Sequence, residues 1–204
     1  IVTDRNIPII EKGLKSLKKK DKKDSKKSPY TKTDLINYLS KPPYNADLKT
    51  RCYLLGESFC KVSGKEKSLY GRLYRERKAY EIKNNSKYLY ADQALAQLTS
   101  KNYDKNTSAY KSYIEGQLPD GHISQRAKRF AVKIFLVHLF ECMYMNYYHK
   151  APPVYYPLEH LGHFDYIKPE VPYEEYIDVP KEYYEQYGKF NQIDSTAKIY
   201  GVKL

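Results

Sequence analysis

The sequence predicts a mostly α-helical protein: a single helical core around one long buried helix at about 121–149, with a basic N-terminal arm and an extended Tyr/Pro-rich C-terminal arm. Three observations predict it. Residues 121–150 are free of Pro and of internal Gly, and from 130 to 148 the stretch is apolar on almost every side, as a buried helix is. Seven lysines fall between positions 18 and 27, a run that cannot bury apolar area and gains order only on a partner. Prolines at 152, 153, 157, 169, 172 and 180 leave no room for a long helix after Ala151. The chain therefore divides into a flexible basic arm (1–30), a helical domain (31–150) and a tail (151–204) that is expected to lie on other surfaces without a core of its own.

Each element has its own signal. Thr31 or Thr33 caps a short helix over 34–40, which Pro42 and Pro43 stop. Asn45 or Asp47 starts a helix to about Lys61, with Leu48, Cys52, Leu55 and Phe59 at core spacing. A helix over about 66–83 follows, with Leu69, Leu73, Glu76 and Tyr80 on one face. Residues 91–100 form an Ala/Leu helix. Residues 105–115 form another, with Tyr110, Tyr113 and Ile114 as its apolar side and Gly116 as its stop. Pro119-Asp120-Gly121 turns the chain, with Asp120 placed to cap the central helix. In the tail only 181–187 reads as helix, behind Pro180.

Charge points to a partner. The net charge is +12 and the isoelectric point about 9.3. Residues 1–51 carry 14 Lys/Arg against 6 Asp/Glu, whereas residues 151–204 carry 5 against 9. Such a balance favours a polyanion: nucleic acid first, an anionic membrane second. Three basic groups are candidate phosphate contacts. The first is Lys18, Lys19, Lys20, Lys22, Lys23, Lys26 and Lys27. The second is Arg72, Arg75, Arg77 and Lys78, interleaved with Tyr70, Tyr74 and Tyr80, cations for phosphates beside rings for bases. The third is His122, Arg126, Arg129 and Lys133, whose i, i+4, i+7, i+11 rhythm makes one stripe at the start of the central helix. The same helix is expected to be basic surface at its start and core at its C-terminal end. The chain has 24 Tyr, 6 Phe and no Trp, and Tyr combines a packing ring with a hydroxyl that suits wet interfaces and base stacking.

Catalytic signatures are missing from the sequence: it has no Walker loop, GxGxxG, GxSxG or HExxH. No catalytic residue, cofactor or metal is therefore assigned. His160 and His163, near Glu159 and Asp165, lack a third ligand at a recognisable spacing. Pro152-Pro153-Val154-Tyr155 matches the short PPxY pattern read by WW domains. Cys52, Cys60 and Cys142 are odd in number and make no CxxC pair, which favours a reducing compartment, cytoplasm or organelle matrix. The chain opens on Ile1, as expected of a processed product or a fragment. The apolar run 134–148 holds His138, Glu141 and Asn146 and falls short of the roughly 20 residues a membrane span needs. The sequence thus leads to a non-catalytic, basic structural subunit of a ribonucleoprotein, ribosome-like assembly. It would bind RNA phosphates through Lys/Arg stripes and neighbouring proteins through 151–204. A DNA-binding protein from a phage or mobile element is the alternative, and a supernumerary subunit of a membrane complex the next.

Overall fold

The computed structural model describes residues 44–65, 67–194 and 199–200. The expected helix over 34–40 and the lysines between 18 and 27 lie outside the described residues. By contacts the chain forms two units, Ile1–Lys49 and Thr50–Leu204.

The described chain is mostly helical. The order is α1 (Ala46–Lys61), α2 (Leu69–Asn85), α3 (Ala91–Ser100), α4 (Ser108–Ile114), α5 (Asp120–Tyr148), α6 (Tyr156–His160), β1 (Asp165–Ile167), a 3-10 turn (Tyr173–Glu175), α7 (Lys181–Tyr187) and β2 (Asn191–Ile193). Local chemistry sets the ends. Asn45 Oδ1 accepts from the N–H groups of Asp47 and Leu48. Ser68 and Thr107 cap α2 and α4 in the same way. Gly116 ends α4 at φ +74°, a left-handed value that glycine adopts without strain. Asp120 does not cap α5; Pro119 holds that position and Asp120 is the first helical residue.

Helix α5 has 29 residues, about 43 Å of axis. Its buried positions are Ile123, Ala127, Ala131, Val132, Ile134, His138, Glu141 and Met145. Their steps of three and four residues run the full length of the helix, so the core stripe is not confined to its C-terminal end. The expectation of a helix buried all round after Phe130 is corrected accordingly: Leu139, Phe140, Met143, Tyr147 and Tyr148 are exposed. The apolar run is longer than the face its neighbours cover.

Three clusters share this helix. In the first, Phe59, Leu69, Leu73 and Tyr74 pack on Ala127, Ala131, Val132 and Ile134. The small alanines let α2 lie close along α5. Each fully buried Leu or Ile in this cluster contributes about 1.5–3 kcal/mol of transfer free energy. Helix α1 lies close against α5 at Gly56, where a Cβ would stand 3.2 Å from the Lys128 Cβ. Leu48, expected in the core, is exposed, as is Ile114 on α4. The second cluster joins α3 and α4 to α5 through Tyr90, Ala94, Tyr113, Leu118 and Ile123.

The third cluster changes the reading of the tail. Most of 151–204 is irregular, as its prolines require, but it has a core: Leu158, Tyr166, Tyr173, Tyr183 and Tyr187 close over Met145 of α5. Strands β1 and β2 pair in parallel, Tyr166 opposite Gln192, with the 3-10 turn and α7 in the connection. Three-residue strands carry no periodicity that a sequence pattern can reveal. Among the described residues, no helix is long and apolar enough to cross a membrane.

Candidate functional site

The basic residues singled out by sequence fall into two kinds. Those of α2 are mostly internal. Arg72 is buried and pairs with Glu76 at 2.9 Å, one turn away. Arg75 donates to the Ser63 carbonyl at 3.0 Å, and its Nε has no hydrogen-bond partner among the described residues. Arg77 pairs with Glu81 at 2.6 Å, donates to the Tyr200 hydroxyl at 2.8 Å and lies against the rings of Tyr80, Phe130 and Tyr200. Lys78 pairs with Asp120 at 3.0 Å. Arg126, the second member of the α5 stripe, also turns inward: its Nε meets Glu81 at 2.7 Å, and its guanidinium covers the Tyr90 ring.

Glu81 explains this inward turn. It is fully buried and accepts from Arg77, Arg126 and Tyr90. Burial pushes its carboxyl up, but Tyr90, Arg126 and Arg77 together outweigh burial and hold it below the ordinary carboxylate range. These arginines are structural partners of one acid. The assignment of the α2 group and Arg126 as accessible phosphate contacts is not supported by their geometry.

The rest of the α5 stripe faces outward. Arg129 and Lys133 are exposed, and neither has an ion-pair partner among the described residues. His122 is half-buried, with its Nδ1 3.5 Å from the Tyr113 hydroxyl. Desolvation, followed by the charges of Arg129, Arg126 and Lys101, holds this imidazole below its ordinary pKa. The last three causes mark a local positive field, and exposed Lys101 is the member of it that helix periodicity on α5 could not reveal.

Farther along α5 lies a carboxyl that sequence reasoning read only as an obstacle to membrane insertion. Glu141 is 1% exposed, with no cation within ion-pair distance among the described residues. Four tyrosines of the tail surround it. Tyr187 donates to Oε1 at 2.6 Å; Tyr166, Tyr173 and Tyr183 donate to Oε2 at 2.7, 2.8 and 3.3 Å. Burial raises the Glu141 pKa above its ordinary value, against the lowering effect of those four bonds. Burial and the nearby carboxylate push all four phenols up, so they remain protonated and keep donating. One turn earlier, His138 Nε2 stands 2.7 Å from the Ile167 carbonyl. A carbonyl only accepts, so Nε2 carries the proton and Nδ1 accepts from the Tyr70 hydroxyl at 2.9 Å. Burial lowers this histidine to about 4, and it stays neutral at pH 7.

The carboxyl and the imidazole are each held by fixed partners. His160 Nε2 lies 3.4 Å from the Glu159 carboxylate and its ring is tilted against Tyr156, and no group of three His, Cys, Asp or Glu able to hold a metal occurs among the described residues. The three cysteines are free and half-buried. Pro152 is buried and Pro153, Val154 and Tyr155 wall a groove against α5, so the PPxY segment is folded into the structure. That groove, about 460 Å³, runs from Lys133 past Val137 to Phe140. A second cavity of about 270 Å³ lies on the outer side of the tyrosine cage, between Pro169, Pro172 and Tyr184. No protein family, curated protein or solved structure matches the chain.

Proposed function

We propose that the protein is a non-catalytic, basic structural subunit of a ribonucleoprotein assembly, holding RNA phosphates with the outward cations of α5. The observation that carries this reading is the contrast between two sets of basic residues. Arg72, Arg77 and Arg126 are matched to buried acids, whereas Arg129 and Lys133 face solvent without such partners among the described residues, and exposed Lys101 adds its charge to that of Arg129 at His122. Unneutralised cations on a rigid helix place fixed charges where phosphates can release counterions. The lysines between 18 and 27 add to the same charge in sequence. Contact with neighbouring proteins falls to the outer side of the tail, where Tyr156, Leu161, Phe164, Tyr176 and Tyr184 are exposed.

The test is binding of RNA and of duplex DNA across a salt series. Arg129→Ala with Lys133→Ala is expected to weaken RNA binding and to flatten the slope of log affinity against log salt by about 1.4, at about 0.7 per lost contact. An unchanged slope removes the stripe from the interface. Tighter binding to duplex DNA would turn the reading to a DNA-binding protein.

A further inference from the structure

The outward face of α5 does not stop at Lys133. Continuing the spacing of His122, Arg126, Arg129 and Lys133 by steps of four, three, four and four leads to Val137, Phe140, Tyr144 and Tyr148. Eleven residues take three turns of an α-helix at 3.67 residues per turn, so the stripe stays on one side of the helix. Its first half carries charge. Its second half carries rings in sequence, with centroids of Phe140 and Tyr144 5.6 Å apart and those of Tyr144 and Tyr148 4.6 Å apart. Tyr147, 76% exposed, stands beside Tyr148 with ring centroids 4.7 Å apart. The groove described above lies at the junction, lined by Lys133, Phe140, Glu141, Tyr155 and Tyr156 among others.

We propose that this face binds single-stranded RNA, with phosphates on Arg129 and Lys133, a base in the groove beside Phe140, and following bases stacked on Tyr144 and Tyr148. The inference rests on the polyanion reading above and adds strandedness to it. From Arg129 to Tyr148 the helix offers roughly 28 Å, a straight track over which charge gives way to ring faces. A duplex keeps its bases stacked on one another and presents phosphates alone, so it cannot use the ring half of the track. A single strand uses both halves, and ring stacking accepts any base. Charge complementarity selects this occupant: an apolar protein surface would leave the adjoining cations unmatched.

The experiment uses the full chain with three fluorescent probes of equal length: oligouridylate, duplex RNA and an abasic single strand. Each is measured across a salt series against wild type, the charge variant Arg129→Ala/Lys133→Ala and the ring variant Phe140→Ala/Tyr148→Ala. Both residues of the ring variant are half-exposed or more, so the fold does not depend on them. Expected is tighter binding of oligouridylate than of either control. The ring variant should lose roughly 5- to 150-fold per ring on oligouridylate alone, with its salt slope kept. The charge variant should lose slope on all three probes. The chain has no Trp, so Tyr148→Trp introduces a single indole, which oligouridylate should quench. If charge variants act but ring variants and the indole do not respond, the single-strand inference falls and the polyanion reading stands. If no probe binds, or the charge variant changes nothing, the polyanion reading falls as well.

Discussion

The Tyr187 hydroxyl donates to Glu141 Oε1 at 2.6 Å across 46 residues of sequence. That bond joins the last helix of the tail to the middle of α5, and three more phenols repeat it on the same carboxyl. The tail is therefore held by a buried polar centre surrounded by rings, with Tyr166 and Tyr187 stacked 4.4 Å apart. A satisfied polar cluster of this kind fixes one arrangement, because any other leaves donors unpaired in a dry site.

Tyr187→Phe removes one bond to the buried Glu141 carboxyl and is expected to cost about 1–3 kcal/mol in denaturant unfolding. Glu141→Leu removes the acceptor shared by all four phenols, leaving Tyr166 and Tyr183 to bond each other and Tyr173 to the His138 carbonyl, and should cost more than any single Tyr→Phe change. Proteolysis gives a second readout: the tail resists cleavage in the wild-type monomer and becomes sensitive in Glu141→Leu. Equal stability of Glu141→Leu and wild type would show that the cage contributes nothing.

Acidification separates two groups of opposite sign. His138 titrates near 4 when folded and near 6.5 when unfolded, so the unfolded chain binds more protons between these values. Its contribution, on the order of 3 kcal/mol, is present above pH 6.5 and is lost as pH falls towards 4. Glu141 is raised when folded, so its protonated form favours the fold and this contribution declines as pH rises above 4.5. Proton NMR of the imidazoles should find one that stays neutral to about pH 4 and disappears in His138→Gln. Glu141→Gln should remove the decline on the alkaline side.

Arg126 and Arg129 lie one turn apart, yet their removal should differ in kind. Arg126→Ala takes one cation from the buried Glu81 and is expected to cost about 3 kcal/mol of stability. Arg129→Ala leaves the melting temperature within a degree or two and flattens the salt dependence of RNA binding. Reversal of the two effects would overturn the division into structural and outward cations.

Gly71 stands where a Cβ would meet the Val62 carbonyl oxygen at 2.8 Å and its carbon at 3.0 Å. Both are backbone atoms, so the turn before α2 has to shift. Gly71→Ala is expected to destabilise by about 1–3 kcal/mol, although alanine is the better helix former. Gly64→Ala, with open space at the same point, is the control.

Ile134→Asp puts a charge in the central cluster with no partner and should abolish cooperative unfolding at room temperature. Phe135→Asp is the milder case because Phe135 is only partly buried against Phe59 and Tyr70. Cooperative melting of Ile134→Asp at the wild-type temperature would remove α5 from the centre of the fold.

Local sequence signals placed α1 to α5 and α7 and the central position of α5, but missed the short helix α6 between Tyr156 and His160. Apolar spacing, caps and breakers act over a few residues, which is why α1, α2, α3 and α5 begin and end close to where their patterns do. Spacing also sets His122, Arg126, Arg129 and Lys133 on one stripe, because positions along one helix need no partner to be read. Which of those charges stay free depends on the acids that other parts of the chain bring to them. Arg126 on α5 matches a surface cation in sequence until α2 brings Glu81 beside it, and Arg77, one turn from Glu81 on α2, is drawn into the same buried pair. Only the tertiary structure decided that the tail has a core, since the bonds of Tyr166, Tyr173, Tyr183 and Tyr187 to Glu141 span 25 to 46 residues. The same fold left Phe140 and Tyr148 uncovered on a helix that is apolar nearly all round, because burial is set by how many neighbours arrive and hydropathy alone does not count them.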